Sequence, residues 1–344
     1  MCELLALNFG METSLQITFR GFQKRGSCNP DGWGLAYYPD ESAIIIKEPI
    51  TSTQSKLATF VSKYSEIRGK IFIGHVRKAS VGNKGCFKNT HPFTRELDGK
   101  QFVFAHNGTL RNHDSLSSQY FTPIGDTDSE HSFCHLLSEY KDKIGSIQKR
   151  EHFDCIHSIL KAINERGNFN CIFSNGEYLF CYHDRDKYKG LDFVERIAPF
   201  GHVELVDDDW KVNLDEEKDT NQHGYVIATK PLTKEVWKSF ESGELIVLRN
   251  GLMVYSSHRT SLEMRILQTI RNHPTKIEIQ ELVSKLKRPF DVICRQVQVL
   301  HHHDLIRQDS RDQVSADHKN ASFFTNSGMN GIISCWVGKR DINN

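Results

Sequence analysis

The chain begins Met1-Cys2-Glu3-Leu4-Leu5-Ala6-Leu7, a cysteine at the second position followed by a short apolar run. Residues 2–8 are nearly continuously apolar, which predicts a strand buried on both faces. Removal of Met1, which a small second residue permits, leaves Cys2 with a thiol and a free α-amine. That amine, with a reference pKa of about 7.7–8.0, can accept the proton of a thiol whose reference pKa is about 8.5. On Cys2 alone, an ordinary buried cysteine in a first strand is the better interpretation.

The composition gives loose bounds on fold and compartment. The 344 residues predict two domains, or one large layered domain with an appendage. Lys+Arg 44 against Asp+Glu 43 gives no overall indication of nucleic-acid or membrane binding. No signal peptide or membrane-spanning run is expected, so a cytoplasmic protein is predicted. The nine dispersed cysteines are interpreted as reduced thiols; they are Cys2, Cys28, Cys86, Cys134, Cys155, Cys171, Cys181, Cys294 and Cys335.

The order of predicted elements favours an α+β fold. Helical spacing predicts helices over 15–25, 53–66, about 128–143 after a cap at Asp126 or Thr127, and 147–165. Strands are expected at 2–8, 35–38, 42–47, 70–76, 101–105, 168–174, 178–183, 203–206, 224–229 and 244–255. Asn175-Gly176 and Asn250-Gly251 are strong hairpin signals. Strands, then paired helices, then strands again predict a sandwich of antiparallel sheets with helices outside.

From residue 259 the pattern changes from mainly strands to short helices, and we predict two domains, 2–258 and 259–344. Helical patterns at 261–271, 277–286 and 290–302 precede a candidate two-stranded wing, which is typical of a winged helix. The third helix would be the one to enter a DNA groove; it carries Arg295 and leads into His301-His302-His303. The excess of basic residues is slight, so docking of a partner or packing on the first domain is at least as good an interpretation.

Four residues offer the chemistry of amide cleavage by a thiol. Asn107-Gly108, expected at a strand end, supplies a side-chain amide beside a backbone N–H, which together can stabilise an oxyanion. Arg77 and Asp128 could bind the carboxylate and ammonium of an amino-acid head group. Each has an ordinary alternative: Asn-Gly is more often a turn, and a lone charge is more often a surface residue or an ion-pair partner.

Five motifs follow one another along the chain: Cys2 after Met1, Asp31-Gly32-Trp33-Gly34, Gly74-His75-Val76-Arg77, His106-Asn107-Gly108 and Thr127-Asp128-Ser129-Glu130. This order resembles that of class II glutamine amidotransferases. The likeness covers residues 2–256 and is greatest to stand-alone, single-domain members, which share the opening Cys-Glu-Leu-Leu and the block from Asn89 to Leu97. Any one motif is weak, but five in order form a strong signal.

The resemblance implies a four-layer αββα N-terminal-nucleophile hydrolase sandwich with defined site residues. Cys2 would be the nucleophile and its α-amine the base, while Asn107 and Gly108 would form the oxyanion hole. The substrate-binding residues would be Arg77 and Asp128, the pocket turn Asp31, Gly32, Trp33 and Gly34, and His75. Two departures matter: Lys78 replaces the aromatic residue that follows this arginine in synthetase-linked members, and no synthase domain of recognisable size follows.

The implied reaction is hydrolysis of glutamine or of a γ-glutamyl peptide through a γ-glutamyl thioester. A partner synthase could take up the ammonia, or a partner peptidase could act on a γ-glutamyl peptide. The alternative is a catalytically weak regulatory or binding module that acts through its winged-helix tail. No cofactor and no metal are expected; His131, Cys134 and His135 have helical spacing that could ligate zinc, but are better interpreted as partly buried helix residues.

Overall fold

A computed structural model of the chain describes residues 2–274, 276–310 and 313–316. The strands are β1 (Glu3–Ser14), β2 (Trp33–Tyr37), β3 (Ile44–Glu48), β4 (Arg68–Val76), β5 (Phe93–Leu97), β6 (Lys100–Leu110), β7 (Gly167–Ser174), β8 (Leu179–Tyr182), β9 (Asp192–Ile197), β10 (His202–Glu204), β11 (Lys211–Asn213), β12 (His223–Ala228), β13 (Lys238–Ser239), β14 (Leu245–Arg249), β15 (Leu252–Ser256), β16 (Ile277–Glu278), β17 (Ile306–Ser310) and β18 (Gln313–Ala316). The helices are α1 (Gln16–Lys24), α2 (Lys56–Val61), α3 (Asp128–Lys143), α4 (Glu151–Asn164), α5 (Leu214–Glu217), α6 (Leu262–Arg271), α7 (Ile279–Leu286) and α8 (Phe290–His302). The chain divides into two units, the first ending at Arg259 and the second beginning at Thr260.

Two antiparallel sheets form the centre of the first unit. Sheet A has the strand order β13-β9-β12-β1-β4-β2-β3, and sheet B has the order β15-β14-β8-β7-β6-β5. The sheets face each other, since β1 and β4 of sheet A contact β6 of sheet B. β1 lies in the middle of sheet A between β12 and β4, and its residues 3–9 are buried. The predicted α+β architecture with antiparallel sheets is therefore confirmed.

Helices cover the outer face of each sheet. Phe19 and Phe22 of α1 pack in the same apolar core as Leu5 of β1 and Phe72 of β4. On sheet B, α3 contacts β6, where Phe133 stacks on Phe104 with ring centroids 5.0 Å apart. These large apolar side chains explain why the amphipathic helices dock where they do, because each fully buried one contributes about 1.5–3 kcal/mol.

Several strands extend further than their apolar pattern indicates. β1 continues past residue 8 through a register shift between Asn8 and Thr13 in its pairing with β4. β6 was expected to end at residue 105 but runs to Leu110, so the polar motif from His106 lies inside the strand. A strand is recognised in sequence by its apolar residues, or by their alternation with exposed polar ones. The end of a strand is therefore placed too early where the strand continues through buried polar residues.

The second unit is built from α6, α7 and α8 with a three-stranded sheet of order β16-β18-β17. The candidate wing was expected to run from residues 305–308 through a polar stretch to residues 323–325. Its first part is β17, which pairs with β18, whereas residues 323–325 lie outside the described residues, and the winged-helix interpretation stays a prediction. On α8, Arg295 forms an ion pair with Asp291, with Nη2 and Oδ2 2.8 Å apart. That pairing offsets the charge on which the suggested DNA contact depends.

Among the residues described, none of the helices is both long enough and apolar enough to cross a bilayer.

Candidate active site

The thiol of Cys2 lies at the end of sheet A where β1 begins and β4 ends. Glu3 pairs with Val76 across these strands, so the residues beyond them, Cys2 and Arg77, meet at the same sheet edge. The backbone of Lys78 holds the thiol: its N–H donates to Sγ over 3.2 Å, and Sγ in turn donates to the Lys78 carbonyl over 3.3 Å. Lys78 therefore contacts the nucleophile candidate through its backbone, which any residue except proline could provide at that position.

Arg77 is almost completely buried beside this thiol. The guanidinium donates to the carbonyls of Val81 (3.1 Å) and Asn83 (3.3 Å), so the following loop is wrapped around it. Its side chain is 2% exposed. Desolvation lowers the pKa of Arg77, while Cys2 in its thiolate form and the carboxylates of Asp31 and Asp128 act in the opposite direction. These side chains thus lie within electrostatic range of one guanidinium.

The segment before β2 completes this edge. The Arg77 N–H donates to the Gly32 carbonyl over 2.7 Å, and the Asp31 N–H donates to the Arg77 carbonyl over 2.9 Å. The Asp31 carboxylate accepts from the Ala79 N–H over 2.8 Å. Gly32 has φ +145°, a conformation that side chains disfavour, and a Cβ on Gly34 would lie 2.2 Å from the His91 carbonyl oxygen. Glycine is required at both positions for the backbone to pass this closely.

Asp128 begins α3 and joins it to the end of β6. Its Oδ2 accepts from the Leu110 N–H over 2.7 Å and its Oδ1 from the Ser129 N–H over 3.0 Å. Thr127 is the N-cap, since its side chain accepts from the Glu130 N–H. A carboxylate has about four acceptor positions, so Asp128 retains capacity for a further donor.

Asn107 and Gly108 lie within β6, opposite Asn170 and Phe169 of β7. The Asn107 side chain is buried, and its Nδ2 has no hydrogen-bond partner within the described part of the chain. A buried amide donor without an acceptor costs about 1–3 kcal/mol. A Cβ on Gly108 would lie 1.9 Å from the Asn168 carbonyl oxygen, so this position accepts only glycine.

The Ser80 and Thr109 hydroxyls, 2.9 Å apart, link β6 to the loop after β4.

Two of the predicted pocket residues have structural positions instead. Trp33 is fully buried in the helix-facing core, its ring 5.8 Å from that of Phe19. His75 is fully buried between the sheets, with Nε2 3.2 Å from the His106 carbonyl and its ring stacked on His91. Burial lowers the pKa of His75 to about 3, so it is neutral at ordinary pH. Both side chains are enclosed by protein, so their roles are in packing around the site.

Burial raises the pKa of the Cys2 thiol, against the lowering effects of the Lys78 N–H and the positive Arg77. A raised pKa means that the resting thiol is predominantly protonated at neutral pH. Thiol chemistry at this site therefore requires a base.

Tyr188 lies within electrostatic range of this thiol, which the sequence did not indicate. Burial raises the pKa of its hydroxyl, and the charges of Cys2 and Asp184 raise it further. Its loop is fixed by Asn170 of β7, whose Nδ2 donates to the Tyr188 carbonyl over 2.6 Å. The flanking Lys187 and Lys189 have positive φ, a conformation uncommon for side-chain-bearing residues. A single tyrosine in a charged loop gives no indication in the sequence that it lies near Cys2.

Asp184 organises the Tyr188 loop. Its buried carboxylate accepts four hydrogen bonds of 2.7–3.1 Å, and the donors are Asn164 Nδ2 and the N–H groups of Phe169, Asp186 and Tyr188. Because a charged acceptor is replaced by a neutral amide that brings its own donors, Asp184→Asn is expected to lower the free energy of unfolding by about 2–3 kcal/mol. Urea denaturation measures this. Asp186→Asn is the matched control, since its side chain is exposed, and an equal loss in both variants would contradict the account.

The side chains of His131, Cys134 and His135, whose helical spacing could suit zinc, do not converge on one point. Cys134 is fully buried, and burial raises its pKa to about 11. His135 Nδ1 lies 2.6 Å from the Ser117 carbonyl oxygen, whereas His131 lies near Asp114. The three side chains thus have separate surroundings.

Comparisons with known proteins agree on one family. The family model of class II glutamine amidotransferases matches residues 1–271. An uncharacterised protein of Methanocaldococcus jannaschii is 41% identical over 333 residues, which cover 94% of this chain and 93% of the relative. The Escherichia coli protein YafJ, named "Putative glutamine amidotransferase", is 34% identical over 250 residues, which cover 71% of this chain and 96% of YafJ.

Solved structures support the same family and fold. The crystal structure of a predicted glutamine amidotransferase from Pseudomonas aeruginosa superposes with a TM-score of 0.54 at 29% identity, covering 74% of this chain and 95% of that one. The glutamine phosphoribosylpyrophosphate amidotransferase of Bacillus subtilis, at 19% identity and a TM-score of 0.52, covers 77% of this chain and 52% of its own and shows likeness of fold alone. The family supports glutamine amide hydrolysis as the general activity. On the family match and the identity to YafJ, this chain belongs to the class II glutamine amidotransferases.

Proposed function

We propose that this chain hydrolyses the γ-amide of glutamine, or of a γ-glutamyl compound, through a thioester on Cys2. The observation that carries the proposal is that the Cys2 thiol and the Asp31 and Asp128 carboxylates all lie within electrostatic range of the buried Arg77 guanidinium. A nucleophile within reach of both a cation and an anion suits attack on the side chain of an amino acid, because the charged head group must be held while the amide is attacked.

The nucleophile needs a base, since burial keeps the Cys2 thiol protonated. The α-amine of Cys2 itself fills this role once Met1 is removed, because it is attached to the same residue and its reference pKa is close to neutral. Chain with Met1 retained would hold that nitrogen in a peptide bond, where it cannot accept a proton. Active protein should therefore begin at Cys2.

The Asn107 amide and the Gly108 N–H would stabilise the oxyanion of the tetrahedral intermediate. The unpartnered Nδ2 of Asn107 supports this role, because a donor left without an acceptor in the resting chain can bind charge that develops during reaction. Arg77 would bind the substrate α-carboxylate and Asp128 its α-ammonium. Gly32 and Gly34 would keep the backbone beside Arg77 close enough to shape the pocket.

The reaction proceeds in two halves. Cys2 Sγ attacks the γ-carbonyl carbon, the C–N bond breaks, and ammonia or an amine leaves with a proton from the terminal amine. The Sγ–C bond of the γ-glutamyl thioester is then broken by water, which loses a proton to the same amine. Glutamate is released and the thiol is restored.

The proposed activity resides in the domain of residues 2–258, with residues 259–344 as a separate winged-helix-like domain. The division of the chain after Arg259 supports this boundary. A cytoplasmic location and the use of ammonia by a partner synthase, or of a γ-glutamyl peptide with a partner peptidase, remain parts of the same proposal. Glutamine and γ-glutamyl peptides present the same free α-amino acid to Arg77 and Asp128, so both are expected to be turned over.

The head-group assignment predicts a specific selectivity. We expect N-acetylglutamine to be hydrolysed with kcat/KM about 10- to 100-fold below that of glutamine, because acetylation removes the ammonium that Asp128 would bind, a contact worth about 1.5–3 kcal/mol. Asp128→Asn should lower kcat/KM for glutamine and shrink this selectivity towards unity. Glutamate release in steady state measures both.

Asp126→Asn is the matched control for Asp128→Asn, because Asp126 lies two residues earlier and its carboxylate pairs with exposed Lys88. It should retain the wild-type selectivity. Unchanged selectivity in Asp128→Asn would remove Asp128 from the ammonium site. Absence of glutamine and γ-glutamyl peptide hydrolysis by verified Cys2-terminal protein would overturn the proposed function itself.

A further inference from the structure

Two histidines and an aspartate meet outside the proposed active site, between the turn after β6 and the second turn of α3. Asp114 Oδ1 lies 3.5 Å from His113 Nε2 and 3.9 Å from His131 Nε2. The two imidazole rings meet edge to face with centroids 5.0 Å apart. One ligand atom from each of the three residues lies within 4.8 Å of the others.

This donor set matches a borderline divalent transition metal. Two imidazole nitrogens and one carboxylate oxygen are ligands that zinc binds at about 2.0–2.2 Å. Ligand atoms at tetrahedral angles around such an ion stand about 3.3 Å apart. The two distances to Asp114, 3.5 and 3.9 Å, and the limit of 4.8 Å for the whole set exceed that value, so ion binding requires rotation of the exposed Asp114 and the half-buried imidazoles.

The two supporting segments are fixed by contacts of their own. Arg166 Nη1 donates to the Asn112 carbonyl over 2.9 Å and to the Ser115 hydroxyl over 2.6 Å, so the turn His113–Ser115 is held from both sides. His131 lies on α3, whose neighbouring His135 is bonded to the Ser117 carbonyl. A site whose ligands are already positioned loses less conformational entropy when it binds an ion.

We propose that His113, Asp114 and His131 form a binding site for one divalent transition-metal ion of the zinc type. Three protein ligands leave a coordination position for water or another donor. The bound ion would join the turn after β6 to α3, the same two segments that the Leu110 N–H and Asp128 Oδ2 connect. The proposal is independent of the Cys2 chemistry, because it uses none of those residues.

Cobalt(II) titration of the full-length, chelator-treated protein tests this site. Cobalt(II) reports its ligands optically: nitrogen and oxygen ligands give d–d bands alone, whereas cysteine adds a thiolate charge-transfer band. We expect one ion per chain with d–d bands and no thiolate band, and competition by zinc. His113→Gln and His131→Gln should each weaken binding at least about tenfold, since even loss of a supporting contact to a ligand costs 10–100-fold.

His202→Gln is the matched control, because it removes an exposed imidazole from β10 and should leave cobalt binding unchanged. Circular dichroism of each variant separates lost ligands from lost fold. Failure of the wild type to bind cobalt saturably, a thiolate band in its spectrum, or equal binding by folded His131→Gln would each overturn the proposal.

Discussion

Replacement of Cys2 by alanine is expected to reduce glutamine hydrolysis by more than about 10³-fold, because the attacking sulfur is removed while the binding residues remain. The fold should tolerate the change. The thiol is half-buried and its hydrogen bonds are to the backbone of Lys78, so the free energy of unfolding should change by less than about 1 kcal/mol. Ammonia release and urea denaturation on the same preparation measure the two quantities.

Cys28→Ala is the control for this substitution, since Cys28 is also a free thiol and is exposed. It should retain wild-type turnover. Residual activity in Cys2→Ala comparable with that of Cys28→Ala would exclude Cys2 as the nucleophile. A preparation that mass spectrometry shows to retain Met1 should be as inactive as Cys2→Ala, because it lacks the amine that accepts the proton.

Asn107→Ala is expected to lower kcat by about 10²–10³-fold, equivalent to about 2.7–4 kcal/mol, with KM for glutamine nearly unchanged. The amide would act on the oxyanion of the intermediate and not on the bound substrate, so its loss should affect the rate alone. Stability should fall less than in a variant that loses a hydrogen-bonded buried amide, because the Nδ2 donor removed here has no partner in the described chain.

Asn170→Ala provides the matching control across the sheet. Asn170 pairs with Asn107 in register, but both ends of its side-chain amide are hydrogen-bonded: Nδ2 donates to the Tyr188 carbonyl and Oδ1 accepts from the Asp184 N–H. Its removal should cost about 1–3 kcal/mol of unfolding free energy. Asn107→Ala with normal kcat, or with a stability loss equal to that of Asn170→Ala, would contradict the oxyanion assignment.

The sequence was sufficient for the architecture where local signals were strong. The hairpins at Asn175-Gly176 and Asn250-Gly251 are present as β7–β8 and β14–β15, because Asn and Gly adopt the left-handed conformation of tight turns at little conformational cost. The motif around Arg77 was found because β4 ends there in a recognisable apolar pattern. The family was predicted from motif order and is confirmed by the comparisons.

Local signals failed where polar residues are buried. His106 was expected outside its strand, yet it lies in β6 with Nδ1 2.8 Å from the Ser129 hydroxyl and Nε2 3.2 Å from the Asn168 carbonyl. Both contacts depend on tertiary structure, which no window of sequence contains. The same reason explains why His75 and Trp33 were expected in the pocket, since a motif gives the position of a residue without the direction of its side chain.

Contacts between distant segments were also missed. Helical spacing grouped His131 with Cys134 and His135, whereas its neighbours in space are His113 and Asp114, about eighteen residues earlier in the chain. Tyr188 was not considered because nothing in its loop resembles a catalytic motif. Such pairs become visible only when the strands and helices are assembled.

The most direct test of the central claim is the covalent intermediate. Protein that begins at Cys2 is mixed with glutamine, quenched in acid within one turnover, and digested for mass spectrometry. The account predicts one γ-glutamyl group on the peptide that begins at Cys2. The fraction of enzyme that carries this group should be larger when hydrolysis of the thioester is slower than its formation. Turnover of glutamine with the γ-glutamyl group on any other residue, or undiminished turnover when the Cys2 thiol has been alkylated, would contradict it.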